Sequence, residues 1–259
     1  MKIGFIGTGH MASSIAIALS QNKNYELLLN NRTPEKAIAL KEKIGAQAEV
    51  YDIKQIVEEC DYLFIGVKPI DLKDLLMQIK DYVSHCIYIS MAAGCSLKEI
   101  QDILNNRQII RIMPNTPVAI NEGITFVSYN DLVTDKDAFV EIMKETGSIF
   151  EIDEDKMDAA STIAGSGPAY IDFYLDSLIK IANRLGFDES QSQEIVLQMA
   201  KGTIDLDLSS DLSPLELGKQ VCSPGGSTIE GINVLLNDGL YELVDKALLA
   251  TYNKNKKMK

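Results

Sequence analysis

The sequence predicts an α/β protein with an N-terminal Rossmann-type domain, which is a doubly wound and mostly parallel sheet, and a C-terminal all-helical domain. Two observations lead to this prediction. Short apolar runs alternate with helical patterns through the first part of the chain, which is typical of βαβ units. After about residue 155 only helical patterns follow. We therefore predict a dinucleotide-binding domain over residues 1–155 and a helical dimerisation and substrate-binding domain over residues 156–259.

The individual elements follow from hydrophobic periodicity. The strands are runs rich in Ile, Leu and Val, at residues 2–7, 26–30, 62–67, 87–90, 109–113, 123–128 and 147–152. The helices of the first domain are predicted at residues 11–21, 34–44, 52–60, 70–82, 96–105 and 135–146. Those of the second are predicted at 155–164, 168–186, 188–209, 213–221, 227–237 and 239–256.

Composition excludes several classes of function. The net charge of −12 and the pI of about 4.7 oppose binding to a phosphate backbone, so we expect no nucleic-acid partner. No apolar run reaches the ~18 residues of a membrane span, and the opening strand runs directly into a Gly-rich turn, so we expect neither a membrane partner nor a signal peptide. The four cysteines form no CxxC pair and have no ligand-like spacing with the two histidines. This predicts reduced thiols, no metal site and a cytoplasmic location.

The long helix predicted from residue 168 has an unusually narrow polar face. Asp172, Asp176, Lys180 and Arg184 form one polar stripe, and nearly all other positions are apolar or small. An exposed helix of a monomer keeps a wider polar face. We therefore expect this helix to be buried between subunits of a homodimer, with a central helix of a monomeric helical domain as the alternative.

The N-terminal strand leads into a dinucleotide-binding pattern. Residues Gly7, Thr8, Gly9, His10, Met11 and Ala12 form G-x-G-x-x-A immediately after Ile6. The first glycine permits the tight turn, the second lets a pyrophosphate approach the backbone, and the alanine lets helix and strand pack closely. The N-terminus of the helix then offers free N–H groups to the phosphates.

The end of the second strand indicates which dinucleotide is bound. Sites for NAD place an Asp or Glu there to bind the ribose 2′-hydroxyl, whereas this strand ends in Asn30-Asn31-Arg32-Thr33. Arg32 suits a 2′-phosphate, with Asn31 and Thr33 as hydrogen-bond donors. This favours NADPH and leaves NADH as the alternative. The same stretch is also a helix start, with Thr33 as the cap and Pro34 at the first helical position.

Two later strand ends are expected to face the same crevice. Val67-Lys68-Pro69 ends the third predicted strand, and Ala92-Ala93-Gly94 follows the fourth. The small residues at 92–94 leave room for a nicotinamide and its ribose. We therefore add these six residues to the predicted cofactor site.

Seven motifs in order make the chain resemble the pyrroline-5-carboxylate reductase family. They are "GTGHMA", "NRT", "GVKP", "MAAG", "RIMPNTP", "IAGSGPAY" and "CSPGGSTI". The resemblance as a whole runs from residue 3 to about residue 240. The resemblance implies a helical domain that dimerises, dimers that often assemble into a decamer, and NAD(P)H-dependent reduction of the cyclic imine 1-pyrroline-5-carboxylate to L-proline. It also implies a substrate bound between the nicotinamide and the partner's helical domain.

The remaining motifs suit this chemistry. A protonated cyclic imine is electrophilic, so hydride transfer needs alignment more than a strong general acid. Three residues of the proline-stiffened "MPNTP", namely Met113, Asn115 and Thr116, are expected beside the nicotinamide, and Asn115 is the expected polar contact with the substrate. Ser166, in the turn before the long helix, is expected to face the substrate, and Glu154 is a further candidate near the domain junction.

The stretch "CSPGGSTIEGI" suits the binding of the substrate carboxylate. Gly225, Gly226, Ser227 and Thr228 are expected to form an anion nest at a helix N-terminus, with Ser227 and Glu230 as a capping box. We predict Ser227 and Thr228 as the catalytic residues, with Thr228 either donating to the carboxylate or forming a hydrogen bond with the imine nitrogen. The alternative is an ordinary capped turn between two helices.

Three other functions stay open from the sequence alone. A β-hydroxyacid dehydrogenase carries a lysine acid/base in the first turns of the interdomain helix. The first lysine of the corresponding predicted helix, residues 168–186, is Lys180, which lies far from its start. A broader cyclic imine reductase is opposed only by the carboxylate nest. A non-catalytic NADP-binding paralogue is opposed by the presence of every motif.

Overall fold

The alternating strands and helices of the first part of the chain build one eight-stranded sheet. In the computed structural model, which describes residues 1–257, the strands are β1 (Lys2–Ile6), β2 (Glu26–Asn30), β3 (Ala48–Val50), β4 (Tyr62–Ile65), β5 (Ile87–Ser90), β6 (Ile109–Pro114), β7 (Gly123–Tyr129) and β8 (Gly147–Glu151). The last two residues of the predicted second domain lie outside the described residues. All seven predicted strands are present, and the short β3 is an addition.

The strand order is β3-β2-β1-β4-β5-β6-β7-β8. Neighbouring strands are parallel from β3 to β6 and again between β7 and β8, and only β6 and β7 run antiparallel. This confirms the predicted doubly wound, mostly parallel sheet. The order reverses between β1 and β4, which makes the gap between their carboxyl ends the expected ligand crevice.

The helices between the strands cover both faces of the sheet. They are α1 (His10–Leu19), α2 (Pro34–Ile44), α3 (Ile53–Glu59), α4 (Pro69–Ile79), α5 (Leu97–Leu104) and α6 (Lys136–Met143). Side chains alternate between two cores because successive strand residues point to opposite faces. Phe5 and Phe64 stack on one face with ring centroids 4.9 Å apart, whereas Leu28 and Leu63 are buried on the other.

After β8 the chain is helical. It contains α7 (Met157–Ala160), a π-helical turn over Ser161–Gly165, α8 (Gly167–Arg184), α9 (Glu189–Ser209), α10 (Pro214–Val221), α11 (Ser227–Asn237) and α12 (Leu240–Lys256). The predicted helix over 155–164 is therefore divided into short pieces. No helix in the described part of the chain combines the length and apolar character that a membrane span requires.

Contacts divide the chain into two compact units. The first comprises Met1–Ser166 together with the described residues from Thr251 onward, and the second is Gly167–Ala250. The division thus falls after the predicted 155/156 boundary, because the residues that follow β8 join the first unit: Met157 and Thr162 are buried there. Near the chain end, Asn255 donates to the Thr162 hydroxyl at 3.2 Å.

Candidate functional site

Most of the predicted cofactor residues occupy loops at one edge of the sheet. The six strands β1 to β6 are all parallel. The loops that follow β1, β2, β4, β5 and β6 therefore leave from the same edge of the sheet. These loops contain Gly7 and Gly9, the stretch 31–33, the stretch 66–68, residues 91–96 and Asn115. The topology therefore brings together motifs that are far apart in the sequence.

The turn after β1 requires glycine at its first position for internal reasons. Gly7 has φ +91°, which is strained for any residue with a side chain. A Cβ at Gly7 would also lie 2.8 Å from the carbonyl carbon of Gly66. Ala12 packs against the same segment, since a Cβ at Gly66 would meet that of Ala12 at 2.7 Å. Helix α1 thus lies close against the end of β4.

Gly9 differs because no contact or backbone strain in the described part of the chain requires it to be glycine. Its φ of −72° and ψ of 176° suit any residue, and it is the N-cap of α1. A Cβ there would have only the Gly66 oxygen within 4 Å, at 3.9 Å. Helix α1 has no acidic residue in its first turn and no side-chain cap, and the buried Thr8 hydroxyl has no partner among the described residues. These features fit a phosphate group that approaches the backbone from outside.

A cleft of about 430 Å³ opens beside this turn. Eight of the predicted cofactor residues line it, namely Ile6, Gly7, Gly9, Asn31, Arg32, Thr33, Val67 and Lys68. Sequence reasoning missed others, among them Asn30, Lys36, Ile53, Gly66, Asp71 and Leu75. Lys36 had a usable signal, because a helix that starts at Pro34 places residue 36 in its first turn, next to Arg32.

Asn31 and Arg32 play different parts in this cleft. The Asn31 Oδ1 accepts from the Thr8 backbone N–H at 3.0 Å, and its Nδ2 donates to the Thr33 carbonyl at 3.0 Å. Asn31 thus already ties the stretch after β2 to the Gly-rich turn. Arg32 instead extends into solvent, with 83% of its side chain exposed, and its Nη1 lies 3.2 Å from Asp71 Oδ1. Thr33 is the N-cap of α2 without a side-chain cap bond.

Four further predicted residues lie close to cleft-lining residues in the sequence but do not line the cleft themselves. Thr8 and His10 line an adjoining cavity of about 400 Å³ between α1 and α2, together with Lys36. Met11 packs against the core below. Pro69 is the first residue of α4, directly after Lys68.

The predicted nicotinamide-side residues follow β5 and β6, farther along the sheet edge. Ala92 is buried, its N–H lies 3.3 Å from the Ser90 hydroxyl, and Ala93 and Gly94 follow in the turn before α5. Burial, and next the charge of Glu99, raises the pKa of the neighbouring Cys95 thiol, so this cysteine is protonated at neutral pH.

The end of β6 is held firmly in place. Met113 is half-buried near its end. Asn115 is buried, and its Oδ1 accepts from the Ile124 backbone N–H at 2.9 Å. The amide nitrogen of Asn115 is the part left to contact a ligand.

Glu154 accepts two hydrogen bonds from other residues of the first unit. Its Oε1 accepts from Arg111 Nη1 at 2.9 Å and from the Leu97 backbone N–H at 2.6 Å, at the start of α5. The Arg111 side chain is 4% exposed. These contacts give Glu154 a structural role, and its candidacy for the site stays a prediction. Ser166 ends the first unit, and its N–H donates to the Ser161 carbonyl at 2.9 Å.

The predicted carboxylate site lies in the second unit. The Gly226 N–H donates to the Ser223 carbonyl at 3.0 Å, and Gly225 has φ +71°, which makes Ser223–Gly226 a tight Pro-Gly turn. The predicted capping box is wrong, because this turn starts α11 one residue earlier: Gly226 is the N-cap, and no side chain caps the helix. Ser227 and Thr228 therefore occupy its exposed first turn, with no side-chain oxygen occupying the backbone donors there.

Comparisons with protein families match both parts of the chain. Residues 154–258 match the family model described as pyrroline-5-carboxylate reductase dimerisation. Residues 2–94 match the one described as NADP oxidoreductase, coenzyme F420-dependent.

Similar proteins cover the whole chain. The pyrroline-5-carboxylate reductase of Aquifex aeolicus is 31% identical over 262 residues, which cover 100% of this chain and 97% of that protein. A solved pyrroline carboxylate reductase of Plasmodium falciparum with NADP bound has 29% identity and a TM-score of 0.89, covering 100% and 98% of the two chains. The 1-pyrroline-5-carboxylate reductase of Streptococcus pyogenes has 30% identity and a TM-score of 0.90, covering 99% and 98%.

Proposed function

The chain belongs to the pyrroline-5-carboxylate reductase family, and on that premise we propose that it reduces 1-pyrroline-5-carboxylate to L-proline with NADPH, the last step of proline biosynthesis. The observation that carries this proposal is the 31% identity over the full length of the chain. The direct test is consumption of NADPH by the purified protein with this substrate. Complementation of a proline auxotroph tests the role in the cell.

The cofactor site is proposed from residues that fit each part of NADPH. The open backbone at Gly9 and the first turn of α1 suit the pyrophosphate. Ile53, Val67 and Leu75 give the cleft an apolar wall that suits the flat adenine. Arg32 and Lys36 supply the positive charge for the 2′-phosphate, whereas Asn31 fixes the turn. When bound, NADPH supplies the hydride for the reduction.

The substrate site is proposed at the start of α11. Gly225, Gly226, Ser227 and Thr228 offer backbone N–H groups and two hydroxyls that suit one carboxylate. Ser166 and the amide nitrogen of Asn115 are proposed as further polar contacts made across the homodimer, since the resemblance implies a substrate between one subunit's nicotinamide and the partner's helical domain. Hydrogen bonds that fix the carboxylate orient the ring, and orientation supplies much of the rate in a reaction whose carbon is already electrophilic.

A homodimer formed through the helical domain, residues 156–259, completes the proposal. No residue of α8 is buried in the described chain. Its Phe173 is 80% exposed and its Tyr174 52%. Apolar faces of this extent mark interaction surfaces, and light scattering separates the proposed dimer from a decamer built of such dimers.

Replacing Arg32 by Ala is expected to raise the Kd of NADPH roughly tenfold, or ~1.4 kcal/mol, because a charge-assisted bond to the 2′-phosphate is lost. The Kd of NADH, which has no such phosphate, should change less than about twofold by the same reasoning. Fluorescence titration of both cofactors measures this. The control is Lys98→Ala, which removes one exposed charge on α5, and equal losses for both cofactors would contradict the assignment.

Replacing Thr228 by Ala is expected to lower kcat/KM for pyrroline-5-carboxylate more than ~tenfold, or ~1.4 kcal/mol of transition-state stabilisation. The control is Thr134→Ala, the same chemical change at an exposed loop position of the first unit. Steady-state kinetics with 1-pyrroline, which lacks the carboxylate, separates the two roles: the loss disappears if Thr228 holds the carboxylate and persists if it bonds the nitrogen. An unchanged kcat/KM with both substrates would remove Thr228 from the site.

A further inference from the structure

The guanidinium of Arg32 is held by an acid from another part of the sheet edge. Its Nη1 lies 3.2 Å from Asp71 Oδ1. Arg32 follows β2, whereas Asp71 lies in the first turn of α4, which follows β4. Because β2 and β4 are the two neighbours of β1, the pair spans the cleft, and both residues line it.

This acid changes the electrostatics of cofactor selection. No Asp or Glu ends β2, which by itself favours a 2′-phosphate. The fold nevertheless brings a carboxylate to the same guanidinium from 39 residues away. The other charged residues that line the cleft are Lys36, Lys68 and Asp74. A 2′-phosphate must therefore share Arg32 with Asp71 or displace it.

The pair is weak enough for a ligand to displace. The Arg32 and Asp71 side chains are 83% and 37% exposed, and exposed ion pairs of this kind contribute little because solvent screens them. NADH carries a hydroxyl where NADPH carries the phosphate, so it binds without disturbing the pair. The cost of freeing Arg32 thus falls on NADPH alone.

We propose that Asp71 is a specificity-determining residue of the reductase: it competes with the 2′-phosphate for Arg32 and so reduces the preference for NADPH over NADH. Asp71 acts through Arg32 and is in this sense a positioning residue. The inference rests on the cofactor site of the proposed function.

The first test compares Asp71→Asn with the unaltered protein in fluorescence titrations of NADPH and NADH. The Kd of NADPH is expected to fall roughly three- to fivefold, the scale of one exposed ion pair, and that of NADH to stay within about twofold. Asp71→Glu keeps the carboxylate and should keep the original ratio of the two Kd values. Asp81→Asn removes one exposed charge just beyond α4, outside the cleft. A ratio in Asp71→Asn equal to that in Asp81→Asn would overturn the proposal.

The second test asks whether Asp71 acts through Arg32. In an Arg32→Ala background, Asp71→Asn should change the Kd of NADPH less than about twofold, since nothing is left to compete for. A full effect in that background would overturn the competition. Loss of the favourable charge in the first turn of α4 can lower the Tm, but it acts on both cofactors alike, so the ratio of Kd values is insensitive to it.

These titrations need no turnover, so the two proposals fail separately. A protein that does not reduce pyrroline-5-carboxylate can still show the Asp71 effect on the ratio. A competent reductase with an unchanged ratio would reject the role of Asp71 alone.

Discussion

Replacing Glu154 by Ala should destabilise the protein by about 3–5 kcal/mol, because it leaves a buried arginine without its counter-ion. Arg111 lies in β6 with a 4% exposed side chain, and its Nη1–Glu154 bond is 2.9 Å long. Its Nε has no partner in the part of the chain that the structure describes. The same carboxylate accepts the Leu97 N–H at the start of α5. One substitution therefore leaves both a charge and a helix terminus unsatisfied.

Urea unfolding at a fixed protomer concentration measures this loss. Glu151→Ala is the matched control, since it breaks the exposed pair with Lys136 and should cost at most about 1 kcal/mol. Replacing both partners with apolar residues, as in Arg111→Met with Glu154→Leu, should recover most of the stability, because no buried charge remains. If Glu154→Ala and Glu151→Ala unfolded at the same urea concentration, the carboxylate would not be the structural clamp that its contacts indicate.

The parts of the site that follow local rules could be predicted from the sequence. The turn from Gly7 to Ala12 depends on backbone strain and close packing, which a glycine pattern after a strand reports directly. The parallel order of the strands then places the later loops on one edge. Short β3 escaped prediction because two of its three residues are exposed at the edge of the sheet, which leaves no apolar run.

Pairings between distant residues could not be predicted. Asn31 was expected to donate to a phosphate. Its Oδ1 accepts from the Thr8 N–H, and this bond joins the loop after β2 to the loop after β1. Glu154 contacts Arg111 and Leu97, which lie 43 and 57 residues away in the sequence. The Arg32–Asp71 pair likewise joins separate loops. In each case the fold supplies a partner from a distant part of the chain, and hydrophobic periodicity carries no information about such partners.

Substitutions of the two glycines in the turn between β1 and α1 should separate an effect on NADPH affinity from an effect on stability. Gly9→Ala is expected to weaken NADPH binding by about ten- to a hundredfold, ~1.4–2.8 kcal/mol, because the added methyl occupies space that only the pyrophosphate needs. Its folding cost should be small, since its backbone conformation suits any residue and its Cβ would meet only the Gly66 oxygen, at 3.9 Å. Cofactor titration and thermal unfolding of the same sample measure both effects.

Gly7→Ala is the matched control, in which the expected loss is in stability. Its φ of +91° and the 2.8 Å approach of the added Cβ to the Gly66 backbone should cost roughly 1–3 kcal/mol of stability. The Tm of the cofactor-free protein should therefore fall for Gly7→Ala and hold for Gly9→Ala. If Gly9→Ala bound NADPH normally, the turn would be a structural feature only. If the Tm fell by the same amount in both variants, the glycine at position 9 would be required by the fold and not by the cofactor.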